Sequence, residues 1–201
     1  MEKTIWLFHR VDQRSPSDFA QHYVEHHAIL GRALCRMVLG YTVNIVDRDG
    51  PNAVTEHWVD NVVDFLDPKK NYDSPEDRKR VFEDDQTLID HSKTSLYLVE
   101  KEVVVVAGAP LDTPFGSETP ESKVVVFYRD ASDIPAPPPS ARRVVDNVVS
   151  HALTMADRGR VRIPSDIAVI RMIWGMNAEE IGTEDALSVK EYRQIAAPHW
   201  P

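Results

Sequence analysis

Seven of the fourteen prolines fall between Pro110 and Pro139. A stretch in which so many residues lack a backbone N–H and hold φ near −65° cannot be a helix interior or a central strand. Residues 107–122 (AGAPLDTPFGSETPES) show neither a helical nor a strand period. The chain therefore divides into a module at 1–106, a linker at 107–122 and a second module at 123–201. With 201 residues, 42% of them hydrophobic and 27% charged, there is material for one large domain or two small ones.

The first module opens with Thr4–His9, rich in aromatic and branched residues and bounded by charge, which predicts a strand. Ser15-Pro16-Ser17-Asp18 then starts a helix. Ser15 caps the free amides, Pro16 suits a first-turn position that needs no N–H, and Asp18 answers both the cap and the helix dipole. The helix runs to about Leu34. Strands follow at Gly40–Val46 and Ala53–Val59, joined by an Asp49-Gly50-Pro51 turn. An interrupted helical stretch spans Val62 to Ile89, and a strand closes the module at Thr94–Val106. The order β-α-β-β-α-β is the split βαβ, ferredoxin-like arrangement within an α+β class. The second module reads as a degenerate repeat, with strands at Lys123–Arg129 and Ile167–Trp174 and helices at Ala141–Ala156 and Glu184–Ile195, short of one or two strands. Two local echoes support the repeat: Phe8-His9-Arg10 with Phe127-Tyr128-Arg129, and His27-Ala28-Ile29-Leu30 with His151-Ala152-Leu153.

Charge narrows the partners. With 23 Lys+Arg against 32 Asp+Glu the net charge is −9, and the basic residues are dispersed among acids, so nucleic acid is not an expected partner. The eight glycines form no phosphate-binding array. The longest apolar run, Val103–Ala109, falls far short of the roughly 20 residues of a membrane-spanning helix, so no membrane partner is expected. The single cysteine, Cys35, suits a reducing, cytoplasmic setting and has no adjacent base.

The densest chemistry is SPSDFAQHYVEHHAIL at 15–30, which places three of the eight histidines on one helix. At about 100° per residue, with Phe19 at zero, His26 falls at about −20°, Tyr23 at about 40° and His27 at about 80°. The apolar face thus carries imidazoles. His22 and His26, four apart, could share a metal, but HxxxH with no further ligand of clear spacing is common by chance, so no metal is expected.

Phe19, Tyr23, His27 and Leu30, on a helix that follows a strand ending in a basic residue, resemble the signature of the EthD family of dimeric α+β barrels. The resemblance extends through Gly40-Tyr41, Glu56-His57-Trp58 and Val62-Phe65, covers about the first 100 residues, and departs from the family at Ile29, where a proline is common, and in the charged segment 67–80. It implies a ferredoxin-like unit whose sheet pairs with another to make a barrel, leaving a pocket between sheet and helices. It also implies cofactor-free chemistry on small cyclic or aromatic compounds. In the family's register the functional histidine is His27, whereas ideal helix geometry favours His26; an edge position meets a pocket more easily, so His27 is preferred.

An imidazole titrates near neutrality and can move a proton. His27, His26 and Tyr23 are therefore the catalytic candidates. Strand alternation adds Trp6, Arg10, Tyr41, Asn44, His57 and Trp58 as substrate-binding candidates. The leading expectation is a cofactor-independent lyase, dehydratase or isomerase acting by proton transfer on a small molecule. A cofactor-free monooxygenase of phenols and a non-catalytic ligand-binding module are the alternatives. Because the second module reads as short of strands, a homodimer is expected to complete the barrel.

Overall fold

The structure is a computed structural model that describes residues 1–46, 50–109, 111–154 and 163–198. Its strands are β1 (Glu2–Phe8), β2 (Val38–Val46), β3 (Ala53–Val59), β4 (Ser95–Val106), β5 (Lys123–Tyr128), β6 (Arg143–Thr154), β7 (Ile163–Pro164), β8 (Val169–Trp174) and β9 (Ala186–Ile195). They form one sheet in the order β4-β1-β3-β2-β9-β5-β8-β6-β7, and β6 returns to pair with β4. Eight antiparallel strands thus close into a barrel within a single chain. The two seams are β2 on β9 and β4 on β6. The valines of 103–106 run along the second seam, where Val104 faces Val145 and Val106 faces Val144. Each half supplies four strands in the order fourth, first, third, second.

Two expected helices are strands. β6 occupies most of the expected helix at Ala141–Ala156, and β9 that at Glu184–Ile195. In β6 the pairing register skips Ser150, with Val149 opposite Val99 and His151 opposite Leu98. Such a bulge shifts the inward phase by one residue, so Val149 and Ala152, both in the barrel core, stand three apart and imitate a helical period. In β9 the buried Leu187, Val189 and Glu191 alternate with exposed Ser188 and Lys190, a strand period masked by a polar composition. The second half therefore has its full four strands. The barrel closes without a partner, which removes the reason given for a homodimer. The echo of His27 in His151 also fails, because one is helical and the other extended. Asp49 of the expected turn and 155–156 of the expected helix lie outside the described residues.

The helices α1 (Pro16–His22), α2 (Ala28–Leu34), α3 (Val62–Leu66) and α4 (Pro75–Leu88) all belong to the first half. Ser15 caps α1 by accepting from the Asp18 N–H, with Pro16 at the start, as the sequence predicts. Beneath this layer lies an apolar core of Trp6, Phe8, Phe19, Tyr23, Val43 and Leu88. The barrel interior holds a second core around Ile5, Val125, Ile170 and Met172. On the outer face of the second half, among the described residues, only α5 (Ala178–Ile181) and connecting chain cover a smaller cluster around Val124, Val144 and Ile173. Among the described residues no helix is long and apolar enough to cross a membrane.

One end of the barrel interior is ionic. Lys3 bonds Glu56 at 2.9 Å, Glu102 at 2.6 Å and Asn147 at 2.7 Å, while Lys123 bonds Glu56 at 3.0 Å and Glu191 at 2.7 Å. Each lysine sits over the tryptophan paired opposite it in the ladder, Lys3 over Trp58 at 4.3 Å and Lys123 over Trp174 at 4.4 Å. Asn44 donates to the Val54 carbonyl at 2.8 Å, and Asn147 to that of Ile170 at 2.9 Å. The two halves thus repeat a lysine, a tryptophan and an asparagine at matching ladder positions. Gly40 is required where the C-terminal segment crosses β2: a Cβ there would lie 2.7 Å from Pro198 Cδ and 3.0 Å from Trp58 Cε3.

Burial alone would push the Glu56 carboxyl up, but Lys123 and Lys3 overcome this and hold it at about 2, against an ordinary 4.5. A carboxylate depressed in the fold stabilises it fully above its unfolded value and loses that contribution as pH falls from about 4.5 toward 2. Glu56→Gln is expected to cost about 3–5 kcal/mol at neutral pH, because it leaves buried ammonium groups underpaired. It should also flatten the loss of stability below pH 4.5, measured by urea unfolding across a pH series. A fragment of residues 1–106 leaves the edges of β2 and β4 unpaired, and light scattering is expected to show it associating.

Candidate active site

α1 does not continue directly into α2. Tyr23–His27 winds as a π-helical turn, with the Ala28 N–H bonding the Tyr23 carbonyl. The extra residue in this turn changes which imidazole faces inward. His27 is buried, whereas the His26 side chain is 56% exposed. The ideal-helix phase that favoured His26 fails for this reason.

α4 presents an acid pair to this turn. Asp84 Oδ2 lies 2.8 Å from His27 Nδ1, and its Oδ1 lies 2.6 Å from His22 Nε2 and 3.6 Å from His26 Nε2. Asp85 Oδ1 stands 3.5 Å from His27 Nε2. Burial works to raise Asp84, but the hydrogen bonds from His27 and His22 prevail and hold it at about 2. Asp85 is raised by burial and by neighbouring Asp84, against the pull of His27 and His91. The two adjacent carboxyls are thereby separated in acidity, one firmly ionised and one biased toward keeping its proton. The sequence carried a cue that went unread. Asp84 and Asp85 lie three and four residues beyond Val81 and just before Leu88, on the face of α4 that those buried residues define.

His27 and Asp85 line a cavity of about 310 Å³ between the helices and the outer face of the first-half sheet. Trp6 and Phe8 from β1, Tyr41 from β2 and His57 from β3 form its sheet wall, with Tyr23, Phe65 and Phe82 across from them. Tyr23 meets the edge of the His27 ring at 4.9 Å, and its hydroxyl lies 3.0 Å from Thr55 Oγ1. Burial raises the Tyr23 and Tyr41 phenols well above their usual range, so both stay protonated. His57 stacks on Tyr41 at 4.6 Å, and its buried Nδ1 has no hydrogen-bond partner among the described residues. Cys35 also borders the cavity, but burial pushes its thiol up to about 11, which removes it as a nucleophile.

Of the residues the sequence singles out, His27, Tyr23, Trp6, Tyr41 and His57 meet at this cavity. His26 points away from it. Arg10 is spent on backbone, donating to the Arg14 carbonyl at 2.7 Å, and does not line the cavity. Asn44 and Trp58 face the barrel interior: Asn44 donates to Glu56 at 3.2 Å, and Trp58 sits under Lys3. The alternation of β3 into Thr55 and His57 against Glu56 and Trp58 is as the sequence has it, but grouping Trp58 with Trp6 is not. His22, His26 and Asp84 bring ligand atoms within 4.8 Å of one another, a geometry that could hold a metal ion, although their direct contacts already account for it.

The fold and cavity define an α+β barrel with eight antiparallel strands and a helix-covered pocket in one half. The chain is similar over its whole length to the crystal structure of an anthrone oxidase-like protein, with a TM-score of 0.56 and 12% identity over 98% of this chain and 97% of that one. At that identity the likeness is one of fold. No family model and no curated protein sequence matches the chain.

Burial, and secondarily the charge on His27, lowers His57 from 6.5 to about 3. The unfolded chain therefore binds a proton at this residue that the fold refuses, and the associated stability falls as pH drops from 6.5 toward 3. Nitrogen-detected NMR should find the His57 ring neutral throughout pH 4–7, and His57→Phe should reduce the slope of stability against pH over that window.

Proposed function

We propose that this chain is a cofactor-independent enzyme that moves a proton on a small cyclic or aromatic compound, with His27 as the base. The observation that carries the reading is the His27 imidazole held between Asp84 and Asp85 at the wall of an aromatic cavity. Asp84, ionised and 2.8 Å from Nδ1, favours the tautomer with its proton on that nitrogen and stabilises the imidazolium that forms. Nε2 is then the accepting atom, and Asp85 beside it can receive or return the proton. The buried Tyr23 and Tyr41 hydroxyls and the unpartnered His57 are polar groups suited to a substrate oxygen that gains charge as the proton leaves. Returning the proton to another atom gives isomerisation, and loss of a leaving group gives elimination.

The strand order of each half supports reading both modules as ferredoxin-like. Phe19, Tyr23, His27 and Leu30 support placing the first with EthD proteins.

A second reading is oxygenation. A deprotonated phenol or anthrone is electron-rich enough to reduce dioxygen, one oxygen atom entering the substrate and the other leaving as water. The likeness to a structure described as anthrone oxidase-like favours this variant, and the first step is the same.

Anthrone, whose ring methylene is acidic, is a probe for that step. In D2O without oxygen the chain should accelerate hydrogen–deuterium exchange at the methylene, with His27→Ala slower by about 100-fold or more and Asp84→Asn intermediate. Exchange equal in wild type and His27→Ala would refute the role given to His27. Oxygen consumption under air separates the two readings, since isomerisation and elimination use none.

A further inference from the structure

A second cavity is larger than the one at His27. About 730 Å³ opens at the ionic end of the barrel, floored by Glu56, Trp58 and Trp174 and roofed by residues 111–115 and 196–198. It shares no lining residue with the His27 cavity. The sheet itself separates them, since Trp58 faces one and His57 the other.

The lysines of the floor are engaged, Lys3 by Glu56 and Glu102 and Lys123 by Glu56 and Glu191, and Glu121 is held by Arg142. What remains unspent is mostly hydrogen-bond donors. Among the described residues the Trp58 indole N–H is buried with no partner, as are the hydroxyls of Thr113 in the roof and of Thr119 beside it. Among the described residues Arg193 Nε also has no hydrogen-bond partner and lies 3.9 Å from Glu191 Oε1, while its Nη2 donates to the Leu111 carbonyl. Arg143 stacks over Trp174 at 5.2 Å, and its Nη1 donates to the Gly108 carbonyl at 3.1 Å. A buried donor without an acceptor is costly, and the residues that carry these donors all line this one cavity, which suits a ligand that brings acceptors. Two tryptophans, with Phe115 and Pro198 above, supply flat apolar walls.

We propose that the barrel mouth is a second binding site, separate from the His27 cavity, for a flat aromatic acid. Its ring lies against the tryptophan-lined floor. Its carboxylate and a ring oxygen accept from Arg193, Arg143, the Trp58 indole and the Thr119 hydroxyl.

The test is calorimetric titration of the full chain with 3-hydroxy-2-naphthoate, and with 2-naphthol as the analogue lacking the carboxylate. The expected result is one saturable site for the acid, with 2-naphthol at least about tenfold weaker. Trp58→Phe, which keeps the ring and removes the donor, and Thr119→Val, which keeps the shape and removes the hydroxyl, should each weaken the acid about 3- to 10-fold. His27→Ala should leave binding unchanged. Thr119→Val stands alone as the test if Trp58→Phe fails to fold. Absence of saturable binding overturns the proposal, as does equal affinity for the two probes. So does binding that is lost in His27→Ala but indifferent to Thr119→Val.

Discussion

The arrangement rests on two lysines buried inside the barrel. Removing an ammonium group from water costs several kcal/mol even after the protein relaxes, so Lys3 and Lys123 are tolerable only where carboxylates meet them at hydrogen-bond distance. Glu56 serves both, and Glu102 and Glu191 complete one each. These five residues come from β1, β3, β4, β5 and β9, so the charges are matched only if strands from both halves stand in one register. A one-residue slip of β1 would turn Lys3 toward the helix layer and leave Glu102 unpaired in the interior. The network therefore sets how the two sheets join, and with it which face of β3 presents His57 outward.

That joining is symmetric, but what covers the two halves is not. The first half has space and sequence for helices between β1 and β2 and between β3 and β4. In the second half the segment joining β5 to β6 carries Pro135, Pro137, Pro138 and Pro139 where the first helix would run. These residues exclude an α-helix and leave a short helical turn at 131–133 followed by extended chain. Ala141, just beyond it, joins the cluster of Val124 and Val144. The helix-covered cavity accordingly forms in the first half, and a scaffold whose halves share one strand order carries one His27-type site among the described residues.

Much of the first half was legible because its elements obey simple periods. The Ser15 cap, the alternation of β1 to β3 and the interrupted helix at 62–88 all follow from local chemistry. β6 and β9 were not legible as strands, for different reasons. The bulge at Ser150 gave β6 a helix-like spacing, and β9 buries Glu191 in the barrel, where a sequence reading assigns charge to solvent. The site shows the same division. Trp6, Tyr41 and His57 could be named from the alternation of three regular strands and Tyr23 from the apolar face of its helix, whereas His27 followed from the family's register rather than from helix phase. Asp84 and Asp85 could have been found as acids on the apolar face of α4, but the charged stretch around them reads as surface. Trp58 was misplaced because an aromatic residue suits either face of a sheet buried on both sides.

The π turn shows why sequence phase alone could not choose the histidine. On a regular helix His22 and His26 share a face and His27 is rotated about 100° from His26, so one carboxylate on a neighbouring helix could not reach all three. Winding one extra residue into the turn gathers the three imidazoles around Asp84, with His27 in contact at 2.8 Å and His22 at 2.6 Å. Such turns are rare because their hydrogen-bond geometry is poorer, and this one carries two charge-assisted contacts to a buried acid on α4. The backbone irregularity and the placement of His27 are thus one feature. The acid that orients the base also supplies the contacts that favour the winding, so replacing Asp84 acts on both at once.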